Sequence, residues 1–319
     1  MQIIRHIGER SLDVAGSVVT LGNFDGIHLG HQALIGGAIG DARRIGVPSI
    51  VLTFEPHPIK VLAPQRELKL LLAHKDKVRL LQNLGVDIVA VQQFDLAFAS
   101  LSAEDFVHGL LVSKLKIKKL WVGKDLRFGK GRKGCVDDLL RWGPALGFEV
   151  AVVEPILVNG NRVSSSGIRE LVSSGRVDEV RPVLGRYHFV SGRVIEGHRR
   201  GRDLGFPTAN LAVRTEVLPS DGIYATLFHL GEKMLPSVTS IGLNPTFGAG
   251  PRTVESYIMN FNDEIYGKVV RLSFIKRIRD EIKFASVSEL IEQIHDDVRR
   301  AESILQDLQI SPVDYPHVQ

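Results

Sequence analysis

The chain has 319 residues, 44% hydrophobic and 24% charged, enough for two domains that each bury a core, and it contains no low-complexity tract. Lysine and arginine exceed aspartate and glutamate by a net charge of +4, a mild excess that does not by itself select nucleic acid as a partner. A single cysteine, Cys135, excludes an internal disulfide and a CxxC metal site; with no apolar run of ~18 residues and no secretory h-region, a reducing, cytoplasmic setting is expected.

In chain order, short apolar or β-branched runs at 18–22, 49–54, 88–92, 118–122 and 149–153 predict strands. The segments between them, 31–45, 75–84, 103–114 and 136–146, have the length of crossover helices. This alternation predicts an α/β fold with a doubly wound parallel sheet. Ligands bind such sheets beyond the carboxyl ends of the strands, so the loops after Gly22, Phe54 and Val122 are expected to share one cleft.

The first of these loops, Gly22-Asn23-Phe24-Asp25-Gly26-Ile27-His28-Leu29-Gly30-His31, leaves a strand and opens a helix, where backbone amides and the helix dipole attract phosphate. His28 and His31 flank Gly30, whose missing side chain lets a ligand approach the backbone closely. Imidazoles there suit developing negative charge. HxxH spacing also suits zinc, but no third ligand stands nearby in the sequence. Farther on, Val163-Ser164-Ser165-Ser166-Gly167-Ile168-Arg169 gathers hydroxyls at a helix entry with an arginine one turn in, which serves either as an N-cap or as a phosphate clamp.

Beyond residue 184 short runs at 189–194, 223–230, 254–260 and 269–275, separated by glycine, proline and asparagine turns, predict a small antiparallel β-barrel. An amphipathic helix over 287–308 closes it, with Leu290, Ile291, Ile294, Val298, Ile304 and Leu308 near one face. The domains are accordingly read as 1–183 and 184–319. Within the second, Gly197-His198-Arg199-Arg200-Gly201-Arg202-Asp203-Leu204-Gly205-Phe206-Pro207-Thr208-Ala209-Asn210 joins a glycine-rich basic loop to a short polar strand and lacks the Walker P-loop pattern. Thr208 and Asn210 are neutral oxygen ligands of the kind a magnesium ion accepts while bridging nucleotide phosphates.

These segments carry a resemblance. The HxGH loop and the serine-rich helix entry resemble the signature of the nucleotidyltransferase superfamily. Thr53-Phe54-Glu55-Pro56-His57-Pro58 and Val122-Gly123-Lys124-Asp125-Leu126-Arg127-Phe128-Gly129 narrow the likeness to bacterial FAD synthetases. Pro207-Thr208-Ala209-Asn210, followed by 218–225, 240–247, Val254-Glu255 and 265–268, is similar to the riboflavin kinase signature. The whole therefore resembles the bacterial bifunctional riboflavin kinase and FAD synthetase family, departing from it at Leu126, where phenylalanine is usual, and at Gly167, where a larger residue stands.

The resemblance implies that the C-terminal domain phosphorylates riboflavin to FMN, with Glu255 as base, Gly197, Arg202 and Gly205 at ATP, and Thr208 and Asn210 at Mg2+. It implies that the N-terminal domain adenylylates FMN to FAD with release of pyrophosphate. There His28, His31 and Arg169 would stabilise charge, with Gly22, Asn23, Phe24, Gly30, Ser164, Ser165 and Ser166 at the ATP phosphates. Phe54, Pro56, Asp125, Arg127 and Phe128 would meet the flavin. Riboflavin, FMN, FAD, ATP and pyrophosphate are then the partners, with no nucleic acid and no membrane. Two alternatives stand beside this reading: a chain that retains only one activity, the kinase, and a flavin- or nucleotide-responsive RNA-binding regulator. The basic loops and an isoelectric point of about 9.1 allow the regulator, whereas aromatic residues not interleaved with those loops oppose it.

Overall fold

The computed structural model describes residues 1–7, 12–197, 201, 204–243, 252–306 and 308. The chain forms two compact units, Met1–Lys69 with Lys77–Val163, and Leu70–Asp76 with Ser164–Gln319. Among the described residues no helix is long and apolar enough to cross a membrane.

In the first unit six strands, β1 (Gln2–Arg5), β2 (Ser17–Leu21), β3 (Ser49–Glu55), β4 (Ile88–Gln93), β5 (Ile117–Gly123) and β6 (Glu149–Val153), pair in parallel in the order β1-β4-β3-β2-β5-β6. Among the connections are helices α1 (Leu29–Ile45), α2 (His74–Asn83) and α3 (Val136–Leu146). Side chains alternate across β2: Val19 and Leu21 enter a large core with Leu111 and Leu120, while Val18 packs on the opposite face against Ala38 and Ala42 of α1. Burial on both faces is what a parallel sheet needs. From β2 the order runs one way through β3 and β4 and the other way through β5 and β6, so the reversal lies between β2 and β5. In open parallel sheets such a reversal is where ligands bind, beyond the carboxyl ends of the strands. β1 is an addition to the predicted strands; three of its four residues are exposed at the sheet edge, which removes the apolar alternation that would mark it.

Helix α1 is pinned to β5 through Asp41. Its carboxylate accepts from Arg44 at 2.7 Å and from Trp121 Nε1 at 3.0 Å, and pairs with Lys119 Nζ at 2.9 Å. Arg44 first, then Lys119, hold its pKa at about 2, below the ordinary carboxylate range.

The second unit opens with helix α4 (Ser165–Ser173) and continues into six antiparallel strands, β7 (His188–Ile195), β8 (Thr208–Val213), β9 (Gly222–Leu230), β10 (Lys233–Gly242), β11 (Thr253–Ile258) and β12 (Val269–Arg279). They close a barrel in the order β7-β8-β11-β10-β9-β12. Val190, Ala209, Leu211, Tyr224, Phe228 and Val254 fill its interior together with Val177 from the preceding turn. Helix α5 (Val287–Gln306) lies outside, where Ala301 packs on Ile223, Ala225 and Val238. The interior also holds a fully buried hydroxyl cluster: Thr226 Oγ1 lies 2.7 Å from both Ser237 Oγ and Thr239 Oγ1, and Thr239 donates to Ser256 at 3.1 Å. Each hydroxyl finds a partner, as burial demands. The segment Leu70–Asp76 joins this unit by a Leu70 amide donating to the Glu216 carboxylate at 2.8 Å and by Ser191 Oγ donating to buried Asp76 at 2.9 Å.

Candidate active sites

Beyond β2 the chain turns sharply. Phe24 at φ 49°, Gly26 at 87° and Ile27 at 42° all take left-handed backbone conformations. For a bulky aromatic and a β-branched residue these are outliers, costing about 1–3 kcal/mol each, of the kind that functional sites retain. The turn delivers His28 to the N-cap of α1, where its Nδ1 accepts the amide of His31 at 3.3 Å. A ring that accepts at Nδ1 carries its proton at Nε2, where it can donate to an anion. His31 stacks on His28 with centroids 3.6 Å apart and planes 16° from parallel, and wholly buried Phe24 meets His31 edge-on at 5.2 Å. A Cβ at residue 30 would stand 3.2 Å from His28 Cε1, so any larger residue between the histidines would crowd the first ring.

Lys77 is a member of the site that sequence reasoning places only within a helix. Its ammonium donates to the Asn23 carbonyl at 3.3 Å and to Thr53 Oγ1 at 3.2 Å. Burial pulls its pKa below the ordinary lysine value, while Asp25 and Glu55 oppose that shift. Gly22 itself is tied to the neighbouring strand, its amide donating to the Leu52 carbonyl at 3.1 Å.

The serine run caps its own helix: Ser164 Oγ accepts from the Gly167 amide at 3.2 Å. Ser165 and Ser166 follow in the first turn, with Arg169 half-buried one turn on, all in the second compact unit. Of the flavin candidates, Phe54 is half-buried at the end of β3, its ring 5.8 Å from Phe94 and 5.9 Å from Phe98. Pro56, on the exposed side of the same segment, follows a cis peptide bond. Phe128 lies in the core at 7% exposure beside Phe106, so little of its ring faces outward. Asp125 is exposed and bonded to Arg162; desolvation raises its pKa, but the Arg162 bond and charge outweigh this and lower it. Arg127 is exposed.

On the barrel, the ladder between β8 and β11 sets Thr208 opposite Tyr257 and Asn210 opposite Glu255. Ala209, Leu211 and Val254 point into the core, so by alternation Thr208, Asn210 and Glu255 share the outer face. Glu255 accepts from Thr253 Oγ1 at 3.1 Å and from Thr208 Oγ1 at 3.4 Å. The Asn210 carboxamide lies against the backbone of Gly197, where an added Cβ would sit only 2.2 Å from Nδ2. Gly205 is left-handed at φ 86°, and the next residue, Phe206, is held edge-on between Tyr257 at 5.3 Å and His295 at 5.0 Å. Arg202 and the segment 244–251 lie outside the described residues. Beside Thr208 opens a cleft of about 580 Å³, lined by Val194, Pro207, Phe261, Asp263, Glu264 and Tyr266.

A family model described as FAD synthetase matches residues 11–167, and one described as riboflavin kinase matches residues 184–305. A protein of Escherichia coli strain K12, described as a bifunctional riboflavin kinase/FMN adenylyltransferase, is 38% identical over 296 residues, covering 92% of this chain and 95% of that one. A protein of Haemophilus influenzae with the same description is 34% identical over 304 residues, covering 95% and 99%. A solved structure from Streptococcus pneumoniae, described as a macrolide-efflux protein, is 32% identical and superposes with a TM-score of 0.86 over 97% of this chain and 100% of its own. Two family models in sequence order and relatives matched over nearly their full length lead to one conclusion: the chain belongs to the bifunctional riboflavin kinase/FMN adenylyltransferase family.

Proposed function

We propose that the chain makes FAD from riboflavin in two ATP-dependent steps at two separate sites, with the kinase in 184–319 and the adenylyltransferase in 1–183. The observation that carries the first site is the common outer face of Thr208, Asn210 and Glu255. There the Glu255 carboxylate takes the proton of the ribityl 5′-hydroxyl as that oxygen attacks the γ-phosphorus of ATP; the new O–P bond gives FMN and ADP leaves. The hydroxyls of Thr208 and Thr253 orient the carboxylate. A cleft of about 580 Å³ beside Thr208 is within the usual size for a small-molecule site and suits the nucleoside part of ATP.

The donor set on this face, one hydroxyl, one amide oxygen and one carboxylate, fits Mg2+, which keeps several waters and few protein ligands. Thr208 and Asn210 would hold it. When bound, the ion supplies charge neutralisation to the nucleotide phosphates.

In the adenylyltransferase the FMN phosphate attacks the α-phosphorus and pyrophosphate departs. That nucleophile is already anionic, so the site needs stabilisation of charge rather than a strong base. His28 Nε2–H, the amides at the α1 N-terminus and His31 are suited to this; Ser164 to Ser166 and Arg169 are phosphate candidates by their motif, hydroxyls and amides at a helix entry with an arginine one turn on. Phe54 offers the more accessible aromatic surface for the isoalloxazine, and Asp125, Arg127 and Pro56 are exposed candidates for further flavin contacts. The single cysteine fits work in a reducing compartment such as the cytoplasm. Chromatography of flavins after incubation with riboflavin, ATP and Mg2+ tests the proposal: FMN should appear first and FAD after it. Appearance of neither would overturn it.

A further inference from the structure

The turn that carries His28 and His31 is conformationally unfavourable. Phe24, Gly26 and Ile27 all sit at positive φ within five residues of Gly22. Side-chain bonds fasten it at both ends. At one end Gln32 Nε2 donates to the Ile27 carbonyl at 2.9 Å. At the other, the Asn23 carbonyl accepts from Lys77 Nζ at 3.3 Å and from Thr53 Oγ1 at 3.4 Å, and Lys77 also donates to Thr53. The ammonium thus knits the start of the turn to the end of β3.

The turn also carries buried Asp25, a carboxylate inside a loop that receives a triphosphate. The Lys77 charge acts on Asp25 and Glu55, and offsets a repulsion that would otherwise be directed at the incoming anion. A neutral donor could make the two hydrogen bonds but could not balance that charge. An arginine could balance it, with a bulkier head.

We propose that Lys77 is a positioning residue of the adenylyl-transfer site, bracing the Asn23–Ile27 turn and neutralising its Asp25 so that His28 and His31 stand ready for the triphosphate. The inference rests on the adenylyltransferase reading above. Its chemistry acts through the turn rather than on the reacting phosphorus.

The test compares the full-length wild type with Lys77→Met and Lys77→Arg. In Lys77→Met, kcat/KM for ATP in FAD formation from supplied FMN should fall ~10–100-fold, the scale of a small misplacement of catalytic groups. Riboflavin phosphorylation should stay within about twofold of wild type and Lys77→Arg should exceed Lys77→Met by at least about fivefold, since it retains the charge. Hydrogen–deuterium exchange should quicken in peptides covering 22–32 of Lys77→Met and stay unchanged elsewhere. Unchanged exchange in those peptides, unchanged FAD formation, a joint fall of both activities, or an arginine variant no better than methionine each overturns the proposal. If the wild type makes FMN but never FAD, the adenylyltransferase reading has failed instead, and the exchange data still decide whether Lys77 braces the turn.

Discussion

Asn210 stands opposite Glu255 in the ladder between β8 and β11, and both side chains leave the barrel on the side away from Ala209 and Val254. An amide oxygen for a cation and a carboxylate for a proton are thereby brought to one surface by strand pairing alone. Replacing Glu255 with Gln keeps the shape and removes the base, so riboflavin phosphorylation should fall by ~10²–10⁴. Adenylylation of supplied FMN should be nearly unchanged. Loss of FAD formation from FMN in this variant would show that the two sites are not separate.

The Asn210 carboxamide depends on Gly197. A methyl group there would lie 2.2 Å from Asn210 Nδ2, so Gly197→Ala forces the amide off the face it shares with Glu255. Kinase kcat/KM should drop ~10–100-fold by misplacement. Steady-state assays at varied Mg2+ should show a raised metal requirement, and a variant indistinguishable from wild type would remove Asn210 from the cation site.

In the proposed mechanism His28 both caps α1 and stabilises charge, two roles that substitutions can separate. Alanine removes both the imidazole and the cap on α1, and loss of a cap costs about 1 kcal/mol of stability. Asparagine restores a good cap without a ring. His28→Asn should therefore melt near wild type yet lose ~10²–10³ in adenylyl transfer, the range for one lost charge-stabilising donor. His31→Ala should lose a similar factor, and the two losses should not add, because in the proposed mechanism the rings, stacked on one another, act on the same phosphates. Both variants should accumulate FMN. A kinase defect in either would contradict this assignment.

A fragment 184–319 should make FMN and no FAD. Val177, with no exposed surface, belongs to the barrel core, so a fragment beginning at 164 keeps a valine that the shorter one lacks. Burial of that side chain is worth about 1.5–3 kcal/mol. The longer fragment should melt roughly 5 °C or more above the shorter. Equal melting temperatures would mean that Val177 contributes nothing to the isolated barrel. A folded but inactive 184–319 would place part of the kinase site before residue 184.

Asp41 makes an acid-dependent contribution. Its carboxyl is held at about 2 by Arg44, Lys119 and Trp121, so its stabilisation is complete above the ordinary carboxylate pKa and disappears as pH falls through 2. The pairs reach the surface, which limits the effect to about 1 kcal/mol. Asp41→Asn should lower the melting temperature at pH 7, and the gap from wild type should narrow between about pH 4 and 2. A gap constant across that range would assign the effect to packing of α1 rather than to charge.

The candidate loops were legible because their residue types are those that such chemistry uses. Histidines around Gly30 and the Pro207–Asn210 run stand out whatever surrounds them. What was not legible was decided by partners distant in sequence. β10 escapes a hydrophobic-alternation reading because two of its inward positions are Ser237 and Thr239, which satisfy Thr226 and Ser256 instead of packing as hydrocarbons. Lys77 looks like any helix lysine until Asn23 and Thr53 are seen at its tip. Phe128 follows a strand as a ring-binding residue would, yet its place beside Phe106 makes most of it core.

The closed ladder makes the spelling of Thr208-Ala209-Asn210-Leu211 a matter of phase. Adding or deleting one residue there would turn Thr208 and Asn210 into the barrel interior and expel Ala209 and Leu211, because a one-residue slip reverses every facing. Closure also leaves no free strand edge along which a slipped β8 could find another register without breaking its bonds to both β7 and β11. Descendants of this chain can therefore change side chains along β8 but not its length, and insertions should collect in turns such as the one between Leu230 and Lys233, where no outward-facing ligand depends on the count.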